Sequence, residues 1–471
     1  MSTHHWEMAS QMPSVLCTIL LVACCTAATS TIWAQTDSPT NPLLLQNVRV
    51  IVGDGSVLES TSILIEGASI SAIGGAANLS LPSDTVILDL RGKTVMPALI
   101  DAHAHLGYQA ASSWGAQNYS RQNLIDNLNR YAYYGFSAVF SAGSDPAELA
   151  IQLQRSQRNG EIPGARFLFA AGMAPPGQGP NNQFLEHALA VGEATGMHML
   201  YGLNDAVQAR QAVRDVAMQG IAFIKIWVDD RAGSQEKLQP AIYRAVIDEA
   251  RAQGIQVFVH QQRAIDMPDL LRAGADGFLH GRIGAELNEA LAQQIKAANA
   301  FVVPNLGLGE LRREAIGEDS FLQQTLPVAV ANRLSVGAGP RQLNPELDTE
   351  RDQEYRESLV NLLDAGVDIL LGTDAGAIPD HFFGYTGHRE LEIFVRLGMT
   401  PMQALIAATS APARRLGLDD LGLLKPGYSA DLLILDENPL EDIRHTRAIS
   451  RVYLRGQEID RVALRNSFQK Q

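Results

Sequence analysis

Cysteine is almost absent from this chain, and it is gone after residue 25. The 471 residues hold three, Cys17, Cys24 and Cys25, all within one N-terminal segment. A chain beginning at Gln35 has no disulfide, and no thiolate in it acts as nucleophile or metal ligand. Positive charge is also in short supply: 37 Lys and Arg face 51 Asp and Glu, a net charge of −14. That balance argues against nucleic acid or an anionic membrane as partner. No repeat of solenoid length occurs, and no low-complexity tract follows the leader. Hydrophobic residues at 46% and charged residues at 19% are ordinary for a globular protein. The length suits one large domain with a smaller one.

Residues 12–34, MPSVLCTILLVACCTAATSTIWA, contain no charge. Their apolar core, Val15 to Cys25, is shorter than the roughly 20 apolar residues of a membrane span and fits a signal-peptide core. Histidines and Glu7 precede it, without Lys or Arg, so a start at Met8 or Met12 is an alternative. We expect a periplasmic or secreted protein, with residues 1–34 as signal peptide cut before Gln35. The run Leu21–Cys24 also resembles a lipobox, and the alternative is a lipoprotein anchored through Cys24. An uncut membrane anchor is a third reading.

Residues 42–97 read as short strands and turns, with Gly and Asp punctuating runs of Val, Ile and Leu. The same texture returns near the C-terminus in LKPGYSADLLILDENPL and ISRVYLRGQEI. Between them strands and helices alternate. Strand candidates are 97–105, 136–142, 166–171, 222–228, 255–260, 277–280, 300–304 and 367–373. This pattern predicts an α/β fold: a (β/α)8 TIM barrel over 98–415. Residues 35–97 and 416–471 would join as a small composite β-sandwich domain. Two long connections, 172–221 and 305–360, are candidate lids or substrate walls, or plain surface elaboration.

Six metal-competent residues stand where strands end: His103 and His105 in ALIDAHAH, Lys225 in IAFIKIWV, His260 in IQVFVH, His280 in DGFLH and Asp374 in LGTDAG. In a parallel barrel those ends form the catalytic face. His103 and His105 are two apart and share a strand face, so both imidazoles reach one divalent ion. Lys225 interrupts a run suited to burial. Desolvation lowers its pKa, and a neutral amine reacts with carbon dioxide to a carbamate whose two oxygens bridge two cations. A snorkelling lysine is the plainer reading. His260 and His280 offer neutral imidazoles, and Asp374 a carboxylate able to bind metal and move a proton. Taken singly, each histidine is more ordinary as a satisfied core residue, and GTDAG as a turn. His388, in GYTGHRELE, is expected on the substrate side of the mouth, and His445 in a structural role.

The motifs VMPALIDAHAHL, IKIWVDD, LGTDAG and the closing run from RELEIFVRLGMTP to DLLILDENPLEDI resemble the amidohydrolase superfamily. The likeness is greatest to its branch of imidazolonepropionase-like and Xaa-Pro-dipeptidase-like hydrolases, and it covers the chain after about residue 42. It implies two divalent metal ions, most often zinc. His103, His105 and Asp374 would hold one ion, His260 and His280 the other, with carboxylated Lys225 between them. It further implies that a hydroxide shared by the metals attacks an amide carbonyl, with Asp374 as general acid and base. Peptide-type bonds, N-acyl amino acids and cyclic amides are the candidate small-molecule substrates. Two segments depart from the dipeptidase pattern, QQRAIDM after His260 and WVDDR after Lys225. Asp229, Asp230, Arg231 and Arg263 there are either specificity groups or surface ion pairs, Arg being suited to a carboxylate. Alternatives are a mononuclear deaminase or imidazolonepropionase-like hydrolase, a lactonase on the same centre, and a non-catalytic binding protein. The oligomeric state is open, a homo-oligomer among the options.

Overall fold

Among the described residues, segments from 43–97 and 432–458 meet in one sheet. The computed structural model describes residues 41–471 except 282–283, 285, 311–315 and 337–344. The expected signal peptide and Cys24 therefore lie outside the described residues. Strands Leu43–Ile51, Val57–Glu66, Ser69–Gly74, Val86–Asp89 and Thr94–Pro97 join Leu432–Leu435, Ile449–Leu454 and Gln457–Glu458 in an eight-stranded sheet. The stitch is Thr94–Pro97 running antiparallel to Leu432–Leu435. Strand alternation gives this sheet two buried faces. Leu432 and Ile434 pack with Leu45, Val50 and Ile63, while Leu433 and Leu435 enter the large core shared with the central helices. The two segments expected to form a composite β domain are hydrogen-bonded into one sheet. Because Leu433 and Leu435 lie in the shared core, it belongs to the same compact unit as the centre of the chain.

The centre is mixed α/β with parallel strands, and each of the eight expected runs contains a strand. They pair as a seven-stranded sheet ending in Asp368–Ile369 and a three-stranded sheet of Leu99–Ala104, Phe136–Ser141 and Arg166–Phe169. Ala171–Ala174 and Leu200–Gly202 are additional strands that the sequence pattern did not suggest. Regular pairing does not run round a closed ring. At one seam the Asp368–Ile369 ladder stops early, and backbone bonds continue it irregularly: Ala102 N to Leu371 O, Thr373 N and Asp374 N to His103 O. At the other seam the 166–174 run breaks into two strands, bridged by Ala170 N to Ser141 O.

Side-chain alternation then builds a floor for the site. Phe140, Phe223, Phe258 and Phe301 share one apolar cluster between the strands and meet edge-on or tilted at 5.0–5.5 Å. Two residues further along two of these strands come Lys225 and His260, so period 2 lifts polar groups onto an aromatic base. Outside, helices pack their apolar faces on the strands. Pro240–Gln253 and Met267–Ala273 end at Gly254 and Gly274, whose φ of +71° and +95° suits glycine at a helix C-cap.

Candidate metal centre

The six residues converge, although they span about 270 positions of sequence. His103 Nε2 lies 3.0 Å from Lys225 Nζ and 3.4 Å from Asp374 Oδ1. His105 Nε2 lies 3.2 Å from Asp374 Oδ1, and His280 Nε2 lies 3.8 Å from Asp374 Oδ2. The rings of His260 and His280 meet edge-on at 4.4 Å. Ligand atoms of His103, His280 and Asp374 all fall within 4.8 Å of one another, close enough to share an ion.

Local backbone features aim these groups. The pairing of Leu99–Ala104 with its neighbour slips between Asp101 and Ala104. Ala102 stays in the interior cluster, while Asp101 turns away to accept hydrogen bonds from Tyr131 and Thr373. Strict alternation, assumed from the sequence, does not hold there. His280 and Asp374 have φ of +77° and +59°, a strained conformation for residues with a Cβ. The glycines of LGTDAG permit close approach. A Cβ on Gly372 would overlap Val303 and crowd His103, and one on Gly376 would overlap the His105 carbonyl oxygen.

Outer partners fix the ring orientation. His103 Nδ1 is 2.9 Å from Asn305 Oδ1, and His105 Nδ1 is 2.6 Å from Ser144 Oγ. With Nδ1–H donated to Asn305, the His103 Nε2 lone pair is left for the centre. Asn305 and Ser144 were not singled out from sequence. Asn305 carried a signal, since it is a polar residue just beyond an apolar strand, as the six are; Ser144 carried none.

Burial sets the protonation. It holds His103 and His260 well below the usual imidazole range, His105 at about 4 and His280 at about 3, so all four stay neutral. Burial, with help from the Arg231 charge and against Asp374, pushes Lys225 down to about 7. Burial raises Asp374, but the facing imidazoles of His103, His280 and His105 outweigh it and keep the carboxylate well below its ordinary value. Asp374 Oδ1 and His260 Nε2 are buried without a hydrogen-bond partner. Neutral imidazoles, an ionised carboxylate and orphaned donor atoms are the chemistry a divalent cation requires.

A cavity of about 390 Å³ opens over the centre, within the range of small-molecule sites. The 172–221 connection supplies one wall: helix Asn182–Thr195 sets Phe184 against His105, ring centroids 4.8 Å apart. Leu308, from the connection after the seventh expected strand, and Trp227 add apolar surface. Arg231 and Gln262 are polar lining residues. Asp229 lies behind Arg231, 3.0 Å from its Nη1. Arg263 is exposed and outside the cavity lining. His388 is not at the mouth. It is fully buried, bonded to the Tyr134 carbonyl and Thr446 hydroxyl and packed on Phe136 and Phe321. Its helix, Tyr385–Arg396, begins after a further loop, and that turns His388 into the helix packing.

The sequence profile of the Amidohydrolase family matches residues 94–459, and the chain belongs to that family. It is accordingly a hydrolase of carbon–nitrogen bonds. The imidazolonepropionase of Geobacillus kaustophilus is 26% identical over 414 residues, covering 83% of this chain and 87% of the relative. The ochratoxinase of Aspergillus niger is 23% identical over 439 residues, 86% and 84% of the two chains. A solved Xaa-Pro dipeptidase with methionine bound in its active site superposes with a TM-score of 0.68 at 24% identity, covering 89% of this chain and all of the other. Such neighbours make the parallel-stranded centre a TIM-barrel-type fold.

Proposed function

We propose that this protein is an exported, binuclear metal-dependent amidohydrolase. The observation that carries the reading is Lys225, buried with its Nζ 3.0 Å from His103 Nε2 and its amine brought to about 7. At neutral pH a large share of that amine is neutral. Its nitrogen adds to carbon dioxide and sheds one proton, leaving a carbamate with one negative charge. His103, His105 and Asp374 would hold one ion, His260 and His280 the second, and the carbamate both. Divalent metal there supplies Lewis acidity toward water and toward an amide carbonyl. Asp374 would accept the proton of the attacking water and return it to the leaving nitrogen. Phe184 and Trp227 exclude bulk water, and Arg231 supplies the cationic lining. The related ochratoxinase and imidazolonepropionase support a small amide, linear or cyclic, as substrate.

The test is metal content per chain for the parent and Lys225→Ala. About two ions in the parent and at most one in the variant are expected. One ion in both sinks the two-metal reading. A mononuclear centre is the second reading, favoured by the tight convergence of His103, His280 and Asp374 without the other ligands. Export rests on the uncharged run 12–34 and the lack of cysteine beyond residue 25. The N-terminus of protein isolated from cells should be Gln35, or a lipidated Cys24. An intact N-terminus on cytoplasmic protein contradicts export.

A further inference from the structure

Asp229 is outside the ligand set that the family resemblance implies, yet its carboxylate lies 3.3 Å from one member of that set, His260. It follows the Phe223–Trp227 strand by two residues and is 5% exposed. Its Oδ1 is taken by the local turn, accepting from Arg231 N at 3.1 Å. Its Oδ2 lies 3.3 Å from His260 Nε2 and 3.0 Å from Arg231 Nη1. Neither Asp229 Oδ2 nor His260 Nε2 has a hydrogen-bond partner, and both atoms are buried.

The spacing is long for a hydrogen bond and fits two atoms that share a cation. N–H···O bonds cluster near about 2.9 Å. Two ligand atoms on one tetrahedral zinc, each bonded at about 2.0–2.1 Å, stand roughly 3.3 Å apart. Asp374 Oδ1 keeps similar distances, 3.2 Å from His105 and 3.4 Å from His103. An ion pair with Arg231 explains one direction of the Asp229 carboxylate. It leaves the unpartnered His260 nitrogen on the other side unexplained.

We propose that Asp229 is a ligand, through Oδ2, of the metal ion held by His260 and His280. Arg231 sets the direction of the carboxylate and offsets its charge. The inference rests on the two-metal reading above and adds a protein oxygen to the second ion. Arg231 keeps a left-handed backbone, φ +51°, followed by Ala232 at +57°, both strained for residues with a Cβ.

The experiment uses the full chain and cobalt(II) alone, titrated into metal-free protein in the presence of bicarbonate. The parent should bind two ions, and Asp229→Asn should weaken the weaker site at least tenfold while sparing the tighter one. Asp229→Cys adds a thiol beyond residue 25, where the parent has none. The metal–sulfur bond of about 2.3 Å makes up for the shorter side chain. A sulfur-to-cobalt charge-transfer band in this variant, absent from the parent, is the expected signature. Parental affinity at both sites in Asp229→Asn overturns the proposal. If that variant does not fold, the Asp229→Cys spectrum decides, and a folded protein without the band overturns it. A parent that binds one ion sinks the two-metal reading separately. Asp229 then stands as a ligand only if Asp229→Asn weakens that single ion.

Discussion

At the scale of the residue, burial is what turns ordinary side chains into a reactive set. The four imidazoles are kept neutral because water is excluded, and Lys225 is brought near neutrality for the same reason. Orientation comes from neighbours that never touch an ion. Asn305 fixes the His103 tautomer through Nδ1. Replacing it, Asn305→Ala, should cost about 10–100-fold in metal affinity with little loss of fold stability. Competition with a chromophoric chelator measures this. Unchanged affinity would remove Asn305 from the centre. The sequence disclosed every ionisable member of the six, because each interrupts an apolar run. Asn305 and Ser144 escaped because their role exists only through a partner far away in sequence.

At the scale of the element, the run 370–376 carries most of the geometry. It leaves regular pairing after Ile369, crosses close to His103 and presents Asp374 in a left-handed conformation. Its glycines are there for contact distance as much as for turning. Gly376→Ala puts a Cβ against the His105 carbonyl at a φ of +88°. We expect a loss of about 1–3 kcal/mol from overpacking and strain, read by denaturant unfolding, together with reduced metal content. A variant as stable as the parent with full metal would show that the close approach is unnecessary. The eight strand runs were legible from hydrophobic patterning alone. The slip between Asp101 and Ala104 was not, since pairing partners decide a bulge and sequence shows only one strand of the pair.

At the scale of the whole molecule, the centre ties distant parts of the chain together, so protonation and metal binding should register in global stability. Lys225 falls from 10.5 to about 7 on folding in metal-free protein. Between those values the unfolded chain binds a proton that the folded chain does not, so stability rises with pH across that window and levels above it. Melting temperatures of chelated, bicarbonate-free protein from pH 7 to 10 should climb, and Lys225→Met should lack that part of the rise. Adding zinc should raise the melting temperature of the parent, because a ligand that binds only the folded state stabilises it by mass action. A flat pH profile, the same in parent and variant, would mean that Lys225 is solvated or paired.

What the sequence determined by itself was the inventory and its order: strands and helices in alternation, β-rich ends, and chemistry-bearing residues at strand ends. Those are local properties, set by side-chain polarity against a period of two or 3.6. The tertiary structure decided which candidates meet. His388 and Arg263 had the right residue type and the wrong surroundings, one buried in the packing of its own helix, the other in solvent. Asp229 read as a specificity group or a surface ion pair, and it is buried beside His260. It also decided that the composite β region is one sheet with two buried faces. The physical reason is common to these outcomes. Burial and approach depend on packing between segments hundreds of residues apart, and no single stretch of chain encodes the distance between its own side chain and another's.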